Sequence, residues 1–313
     1  MDGRFAPSPS ADLHLGNLRT ALLSWLAARS TGGAWRLRID DLDRGRSRAE
    51  IADRQLRDLA RLGLEHDGEV IAQSERTERY AAAFEQLQQA GAVYPCFCTR
   101  AEISEASSAP HGAPSAGYPG TCRGLTAQQR AEKAAGGREP AWRFRADAGL
   151  VDFDDRVLGP QSLPAEDAVL RRADGEFGYQ LAVVLDDADQ GVGEVVRGAD
   201  LLGSVATQRQ LQERLGLDPV AYAHVPLMIG PDGARLAKRH GAATLDDALA
   251  GRSNLDLPGL PCGRPATAEA LVTALAASAG LADSGTQATL TDLVGAFSYE
   301  RLPVRSTMMS TCS

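Results

Sequence analysis

The order of apolar and polar positions divides the chain into short blocks of two kinds. "GRFAPSP" near the N-terminus is a brief apolar run stopped by prolines, the pattern of a buried strand. In "HLGNLRTALLSWLAARSTGG" the apolar residues Leu15, Leu18, Leu22, Trp25 and Leu26 recur at helical spacing. Gly32 and Gly33 close that run, so a helix is predicted. "AWRLRID" alternates as a second strand, and "DDLDRGRS" follows it as a loop. Ser47 is placed to cap the next helix, with Glu50 three residues on in a capping box, and that helix is expected to reach about residue 62. Another helix is expected over 75–89.

Strand, helix, strand, helix in this order predicts an α/β fold with a parallel sheet and crossover helices. From residue 92 to about 175 the alternation breaks down. "SEASSAPHGAPSAGYPG" is rich in Pro, Gly and Ser, which predicts an inserted module carrying a long loop. "FGYQLAVVLDDADQGVGEVVRG" returns to the continuous apolar character of buried strands. "ADLLGSVATQRQLQERLGL" is an amphipathic helix, and "AYAHVPLMIG" is another strand. Beyond residue 250 the pattern predicts one Ala-rich helix over 267–279 and a frayed tail in "YERLPVRSTMMSTCS". The expected division is therefore 1–92 and 176–245 as the two halves of a core, 93–175 as an insertion, and 246–313 as a short helical region with a tail.

Charge and cysteine content narrow the class. A net charge of −8 argues against indiscriminate binding to nucleic acid, while leaving room for a local groove of arginines. No apolar run approaches the roughly 18–20 residues that span a bilayer. "MDGRFAPSPS" offers no signal-peptide core, so a cytoplasmic protein without a membrane partner is expected, as a monomer. Five cysteines are an odd number for a disulfide framework, and a cytosol keeps them reduced. Cys96, Cys98 and Cys122 cluster in sequence, whereas Cys262 and Cys312 stand apart and are read as incidental.

Two segments carry candidate chemistry. In "RFAPSPSADLHLGN" a strand ends in a Pro-rich turn, and His14 and Gly16 sit where a helix begins. A helix N-terminus presents free N–H groups and a positive dipole end to a phosphate, and Gly16 lets a nucleotide lie against its backbone. In "RLAKRHG", Lys238 is one of only two lysines in the chain; the other is Lys133. An ammonium on a flexible stem is a movable point charge, suited to a phosphate group that leaves during reaction.

Together, in this order and on this α/β pattern, the two segments resemble the paired signatures of the class I aminoacyl-tRNA synthetases. "HLGN" is similar to their HIGH motif and "RLAKR" to their KMSKS motif, with Ala237 where that motif usually has Ser. The resemblance implies a Rossmann-like catalytic core in which His14 and Lys238 steady the ATP phosphates, with Gly16, Asn17 and Leu236 also at the nucleotide. ATP would act with Mg²⁺. "RFAPSPSADLHLG", "LRIDDLDRGRS", "FGYQLAVVLDDADQGVGEVVRGADLL" and "KRHGA" resemble the glutamyl branch. By that resemblance Arg4 and Arg197 grip the side-chain carboxylate of L-glutamate, and Tyr179 lines its pocket. Phe5, Ala6, Pro7 and Ser8 hold the amino-acid moiety. Asp40 stands where the family has a glutamate that binds the α-amino group, and it reaches one methylene less far.

Three thiolates at Cys96, Cys98 and Cys122 leave one position of a structural zinc site open, and either His111 or Tyr118 could fill it. The resembling family uses C-x-C followed by Y-x-x-x-C, which "YPGTC" matches, and this implies Tyr118. Only about 70 residues follow Arg239, too few for the helical anticodon-binding domain of a full glutamyl-tRNA synthetase. The chain therefore resembles the truncated glutamyl-queuosine branch, whose members activate glutamate with ATP and attach it to the queuosine base of tRNA(Asp). Two alternatives are a minimal enzyme charging tRNA(Glu) and a non-catalytic paralogue that binds glutamate or adenylate.

Overall fold

A computed structural model of the chain describes residues 1–99, 101–103, 118–230, 232, 233, 236, 243–253, 255–260 and 263–308. Strand β1 (Gly3–Phe5), helix α1 (Leu15–Ser30), β2 (Trp35–Ile39), α2 (Ala49–Arg61) and β3 (Ile71–Ala72) follow in order, and the strands form a parallel sheet β1-β2-β3. Helix α3 (Thr77–Gln89) leads into β4 (Val93–Cys96). After α4 (Ala127–Ala135), β5 (Ala141–Phe144) pairs antiparallel with β4 and with β8 (Val169–Arg171). Between β5 and β8 lies the hairpin β6 (Leu150–Asp155) and β7 (Gly159–Pro164).

Helix α5 (Tyr179–Asp189), β9 (Glu194–Gly198), α6 (Val205–Leu215) and β10 (Ala221–Val225) build the second part of the core. Strands β9 and β10 are parallel, and the hairpin joins at β10 through β6, giving the order β7-β6-β10-β9. The N–H groups of Gly193 and Glu194 both donate to the Asp2 carbonyl, at 2.9 and 3.1 Å, tying the edge of this sheet to the start of β1. Strand β11 (Met228–Ile229), α7 (Leu245–Leu249), α8 (Ala268–Ala277), α9 (Leu290–Ala296) and β12 (Thr307–Met308) complete the described elements.

Helix α1 is buried on both sides. Leu15, Leu18, Leu22 and Leu26 share one core with Phe5, Trp35, Leu37, Val196 and Val225 of the strands, and with Leu271, Leu275 and Leu293 of α8 and α9. Burying a side chain of this size contributes about 1.5–3 kcal/mol, so this helix is a major source of cohesion.

The structure corrects four expectations. Ser47 does not cap α2: Arg46 and Ser47 both donate backbone N–H groups to Asp43 O, a turn that ends one residue too late for Ser47 to cap. Arg48 is the residue before the helix and offers no side-chain cap. The first half of "FGYQLAVVLDDADQGVGEVVRG" is helix α5, not strand. Leu181, Ala182, Val183, Val184 and Leu185 are all buried, and an apolar run with no exposed face gives no period by which to separate helix from strand. "AYAHVPLMIG" is two strands, β10 and β11, separated by Pro226 and Leu227. The tail is not wholly frayed, because Met228 and Ile229 pair in parallel with Thr307 and Met308.

Candidate active site

A cavity of about 490 Å³ opens at the carboxyl ends of the parallel strands. This is where open α/β sheets place their ligands. Arg4, Phe5, Ala6, Pro7 and Ser8 line it from the end of β1 and the turn that follows. His14, Gly16 and Asn17 line it from the start of α1, Asp40 from the end of β2, Tyr179 from the start of α5, and Arg197 from β9. Leu236 is buried, and its N–H donates to the carbonyl of Met228, a cavity residue, at 3.0 Å. Lys238 and Ala237 lie outside the described residues. On the far side of them, Ala243 O accepts the Leu15 N–H at 2.8 Å, and His14 bridges Thr244.

His14 is itself the N-cap of α1. Its Nδ1 accepts the Asn17 N–H at 3.2 Å, while Asn17 Oδ1 accepts the His14 N–H at 3.3 Å. Because Nδ1 is the acceptor, the proton of the neutral ring sits on Nε2, which is then a donor. A Cβ added at Gly16 would meet Cε1 and Nδ1 of that ring at 3.0 Å, so the absence of a side chain there sets the ring position.

A buried ionic network floors the cavity. Arg4 Nε donates to Asp187 Oδ1 at 3.2 Å and Arg4 Nη1 to Val196 O at 3.4 Å. Arg38, fully buried, donates from Nε to Asp40 at 2.8 Å and from Nη1 to Asp187 at 2.6 Å. Burial pushes the Asp40 carboxyl up to about 6, against the pull of Arg38. Burial also acts to raise Asp187, but the Arg4 and Arg38 guanidiniums overcome it and hold that carboxyl below its ordinary value.

Arg197 is only 4% exposed. Its Nε donates to His224 Nε2 at 3.1 Å and its Nη2 to Leu201 O at 3.2 Å. Its Nη1 is buried and, among the described residues, has no hydrogen-bond partner. A buried donor left unsatisfied costs about 1–3 kcal/mol, more when charged, so Nη1 calls for an acceptor.

Arg38, Asp187, Asp155 and His224 escaped the reading of the sequence. For Arg38, Asp187 and His224 the available signal was charge inside apolar blocks: "RLRID", "VVLDDAD" and "AYAHV" each carry an ionisable residue where the pattern demands burial. Such residues are almost never fully buried unless paired.

Apart from this cavity, the sulfurs of Cys96, Cys98 and Cys122 all lie within 4.8 Å of one another. Cys98 and Cys122 Sγ are 3.5 Å apart. A tetrahedral ion at about 2.3 Å from each sulfur would hold them about 3.8 Å apart, so the donor set and spacing fit a metal with little movement. The Tyr118 hydroxyl lies 3.4 Å from Cys96 Sγ and 3.7 Å from Cys98 Sγ, and its ring stacks against the Arg143 guanidinium at 3.8 Å. His111, Cys262 and Cys312 lie outside the described residues. Among the described residues no helix is long and apolar enough to cross a membrane.

Known proteins share this architecture. Residues 1–258 match the family of tRNA synthetases class I (E and Q), catalytic domain. A glutamyl-Q tRNA(Asp) synthetase of Nocardia farcinica is 55% identical over 252 residues, 80% of each chain. One from Symbiobacterium thermophilum is 46% identical over 314 aligned positions, covering 96% of this chain and 93% of the relative. The structure of a glutamate tRNA ligase from Elizabethkingia meningosepticum, in complex with its amino acid, superimposes with a TM-score of 0.80 at 25% identity. It covers 99% of this chain and 67% of that one. With a parallel sheet, a cavity at its carboxyl edge, a histidine-capped helix beside it and these relatives, the chain belongs to the class I tRNA synthetases of the E and Q group, among the glutamyl-Q tRNA(Asp) synthetases.

Proposed function

We propose that this chain activates L-glutamate with ATP and transfers it to the queuosine base in the anticodon of tRNA(Asp). The observation that carries the glutamate half is Arg197 Nη1, a buried cationic donor without a partner on a side chain lining the cavity. A carboxylate is the natural acceptor for such a guanidinium. The name shared by the relatives from Nocardia farcinica and Symbiobacterium thermophilum supports tRNA(Asp) as the acceptor.

In this reading Arg197 and Arg4 hold the side-chain carboxylate, Asp40 the α-ammonium group, and Phe5, Ala6, Pro7 and Ser8 the rest of the amino acid, with Tyr179 as a wall. The α-carboxylate oxygen attacks the α-phosphorus of ATP, pyrophosphate leaves, and glutamyl adenylate forms. A hydroxyl of the queuosine diol then attacks the activated carbonyl, AMP leaves, and the hydroxyl proton passes to solvent. Neither His14 nor Lys238 is a nucleophile. His14, donating from Nε2, and Lys238 align the phosphates and stabilise developing charge. Gly16, Asn17 and Leu236 bound the nucleotide, next to an α1 N-terminus whose dipole favours phosphate. Mg²⁺ accompanying ATP would supply further charge neutralisation.

Cys96, Cys98, Cys122 and Tyr118 would hold one structural zinc, stabilising the module built on β4, β5 and β8. The same reading makes 1–92 and 176–245 the halves of the catalytic core, 93–175 its insertion and 246–313 an appended helical region. The enzyme would work as a cytoplasmic monomer.

The test supplies radiolabelled glutamate and ATP with queuosine-containing tRNA(Asp) or with tRNA(Glu). Part of each RNA is first oxidised with periodate to destroy its diols, and products are mapped by nuclease. Label on the anticodon fragment of untreated tRNA(Asp) is expected. Label on the 3′ end of tRNA(Glu) would make the chain a minimal charging enzyme instead. Absence of label on both, with no glutamate-dependent pyrophosphate exchange, would overturn glutamate activation altogether.

A further inference from the structure

Behind Arg197 stands a chain of contacts that reaches from the cavity into the β6–β7 hairpin. His224, on β10, is completely buried, and its Nδ1 lies 2.6 Å from Asp155 Oδ2. Asp155, at the end of β6, is surrounded by donors. Its Oδ1 accepts the N–H groups of Val157 and Leu158 at 3.0 and 2.9 Å, and its Oδ2 accepts the His224 N–H at 3.1 Å. A carboxylate that takes this many N–H groups remains an acceptor. Nδ1 of His224 must therefore carry the proton, which leaves the lone pair on Nε2 for the Nε–H of Arg197 at 3.1 Å.

That bond, with Nη2 held by Leu201 O and the guanidinium lying over the Tyr222 ring at 5.1 Å, fixes the plane of Arg197 in one orientation. His224 stacks on the same Tyr222 ring at 6.0 Å, so ring and guanidinium are braced against a common wall. Nη1 is the guanidinium nitrogen that the fold leaves unengaged. Were the proton on Nε2 instead, two N–H groups would face each other, the bond would be lost, and Nη1 would turn away.

We propose that Asp155 and His224 are positioning residues that set the His224 tautomer, hence the guanidinium of Arg197, and hence the discrimination of glutamate from glutamine. The proposal rests on the reading above, in which Arg197 receives the side-chain carboxylate. With Arg4 and a fixed Arg197 each presenting a donor, both oxygens of a carboxylate are matched and the amide N–H of glutamine is repelled, whereas a guanidinium free to turn accommodates either.

The variant that isolates this relay is Asp155→Asn. The amide oxygen can keep the bonds from Val157 and Leu158, while its N–H group faces Nδ1 and drives the proton to Nε2. The same exchange forces the wrong tautomer in a Ser-His-Asp triad. Pyrophosphate exchange with tRNA(Asp) present would be measured as a function of glutamate, glutamine and ATP, and ¹⁵N spectra of labelled histidine would report the tautomer of His224.

The wild-type protein is expected to show the Nδ1–H form. Asp155→Asn is expected to show Nε2–H, with KM for glutamate raised roughly tenfold, as for loss of one charged hydrogen bond, and KM for ATP unmoved. The ratio of kcat/KM for glutamate over glutamine should fall with it. His224→Leu should do the same, and His224→Gln, whose amide oxygen can accept from Arg197, should recover part of the loss. An Nε2–H tautomer in the wild type would overturn the relay without any variant having to fold. So would an altered tautomer with unchanged glutamate KM and selectivity, or a parallel loss for ATP. A wild-type protein without any glutamate-dependent exchange would instead take down the proposed function, and this inference with it.

Discussion

Gly16 lies directly beneath the ring of His14: a Cβ on the glycine would stand 3.0 Å from both Cε1 and Nδ1. The ring is also fixed from the other side, where Nδ1 caps Asn17. Gly16→Ala therefore sets two effects against each other. Alanine favours the helix over glycine, but the ring it displaces is the N-cap of α1, whose loss costs about 1 kcal/mol, so Tm should change little. The displaced ring should no longer meet the phosphates squarely, and kcat for adenylate formation should fall roughly 10- to 100-fold. A thermal melt and a pyrophosphate-exchange assay on the same preparation would separate the two; unchanged kcat would mean that His14 has no part in aligning ATP.

Asp40 gives the proposed reaction an acid limb. Burial raises its carboxyl to about 6, from an ordinary 3.8, and only the carboxylate can pair with the α-ammonium of glutamate. The value of kcat/KM for glutamate should therefore be flat above pH 7 and fall as the pH drops through about 6. For stability the sign is opposite to that of a salt-bridged acid. The folded protein binds this proton more tightly than the unfolded chain, so the cost of burying the charge is full above about pH 6 and is relieved towards pH 4. Asp40→Asn should remove the acid limb and lower kcat/KM roughly tenfold at pH 7.5 through loss of one charged contact. A pH profile in which wild type and variant keep the same limb would exclude Asp40 as its source.

How far the sequence exposes this site depends on what each residue must do locally. His14 and Gly16 are legible because a helix start has a signature of its own, and Arg4 because it ends a strand; Asn17 and the cavity-lining residues Phe5 to Ser8 come from the resemblance to the glutamyl branch. Helix α5 is not legible from period alone, because Leu181 to Leu185 are buried on every side. The residues behind the site are hidden for a further reason. Arg38 meets Asp187 across 149 positions, and Asp155 meets His224 across 69, and no local rule pairs residues so distant in sequence. What local sequence does give is the anomaly, a charge in an apolar block, without its partner.

Arg38 should be worth more to the fold than to the chemistry. Its side chain is fully buried among Asp40, Asp186 and Asp187. Arg38→Met would leave these carboxylates short of a cation, at a cost of about 3–5 kcal/mol. Among the described residues Asp187 would then keep only Arg4 as a guanidinium partner, and burial would lift its carboxyl. The stability that its depressed value contributes above the ordinary carboxylate range would shrink accordingly. Urea titrations at about pH 3 and pH 5, the window in which an ordinary carboxyl ionises, should show Arg38→Met gaining less stability with pH than wild type does. Equal gains would mean that Arg4 alone holds Asp187.

The cysteine cluster lends itself to subtraction. Purified protein should carry one zinc per chain by elemental analysis, and Cys98→Ser, which removes the half-exposed thiolate of the set, should lose it along with several degrees of Tm. Because none of Cys96, Cys98, Tyr118 and Cys122 lines the cavity, KM for glutamate should move little in the chelated protein at a temperature where it remains folded. The fourth ligand is decided by a pair of variants. If the Tyr118 oxygen, within 3.4 Å of Cys96 Sγ, completes the site, Tyr118→Phe should weaken zinc binding by more than the roughly 10- to 100-fold typical of an outer partner. His111→Ala should leave affinity unchanged. The reverse pattern would hand the position to His111 and leave Tyr118 as a packing residue held by Arg143.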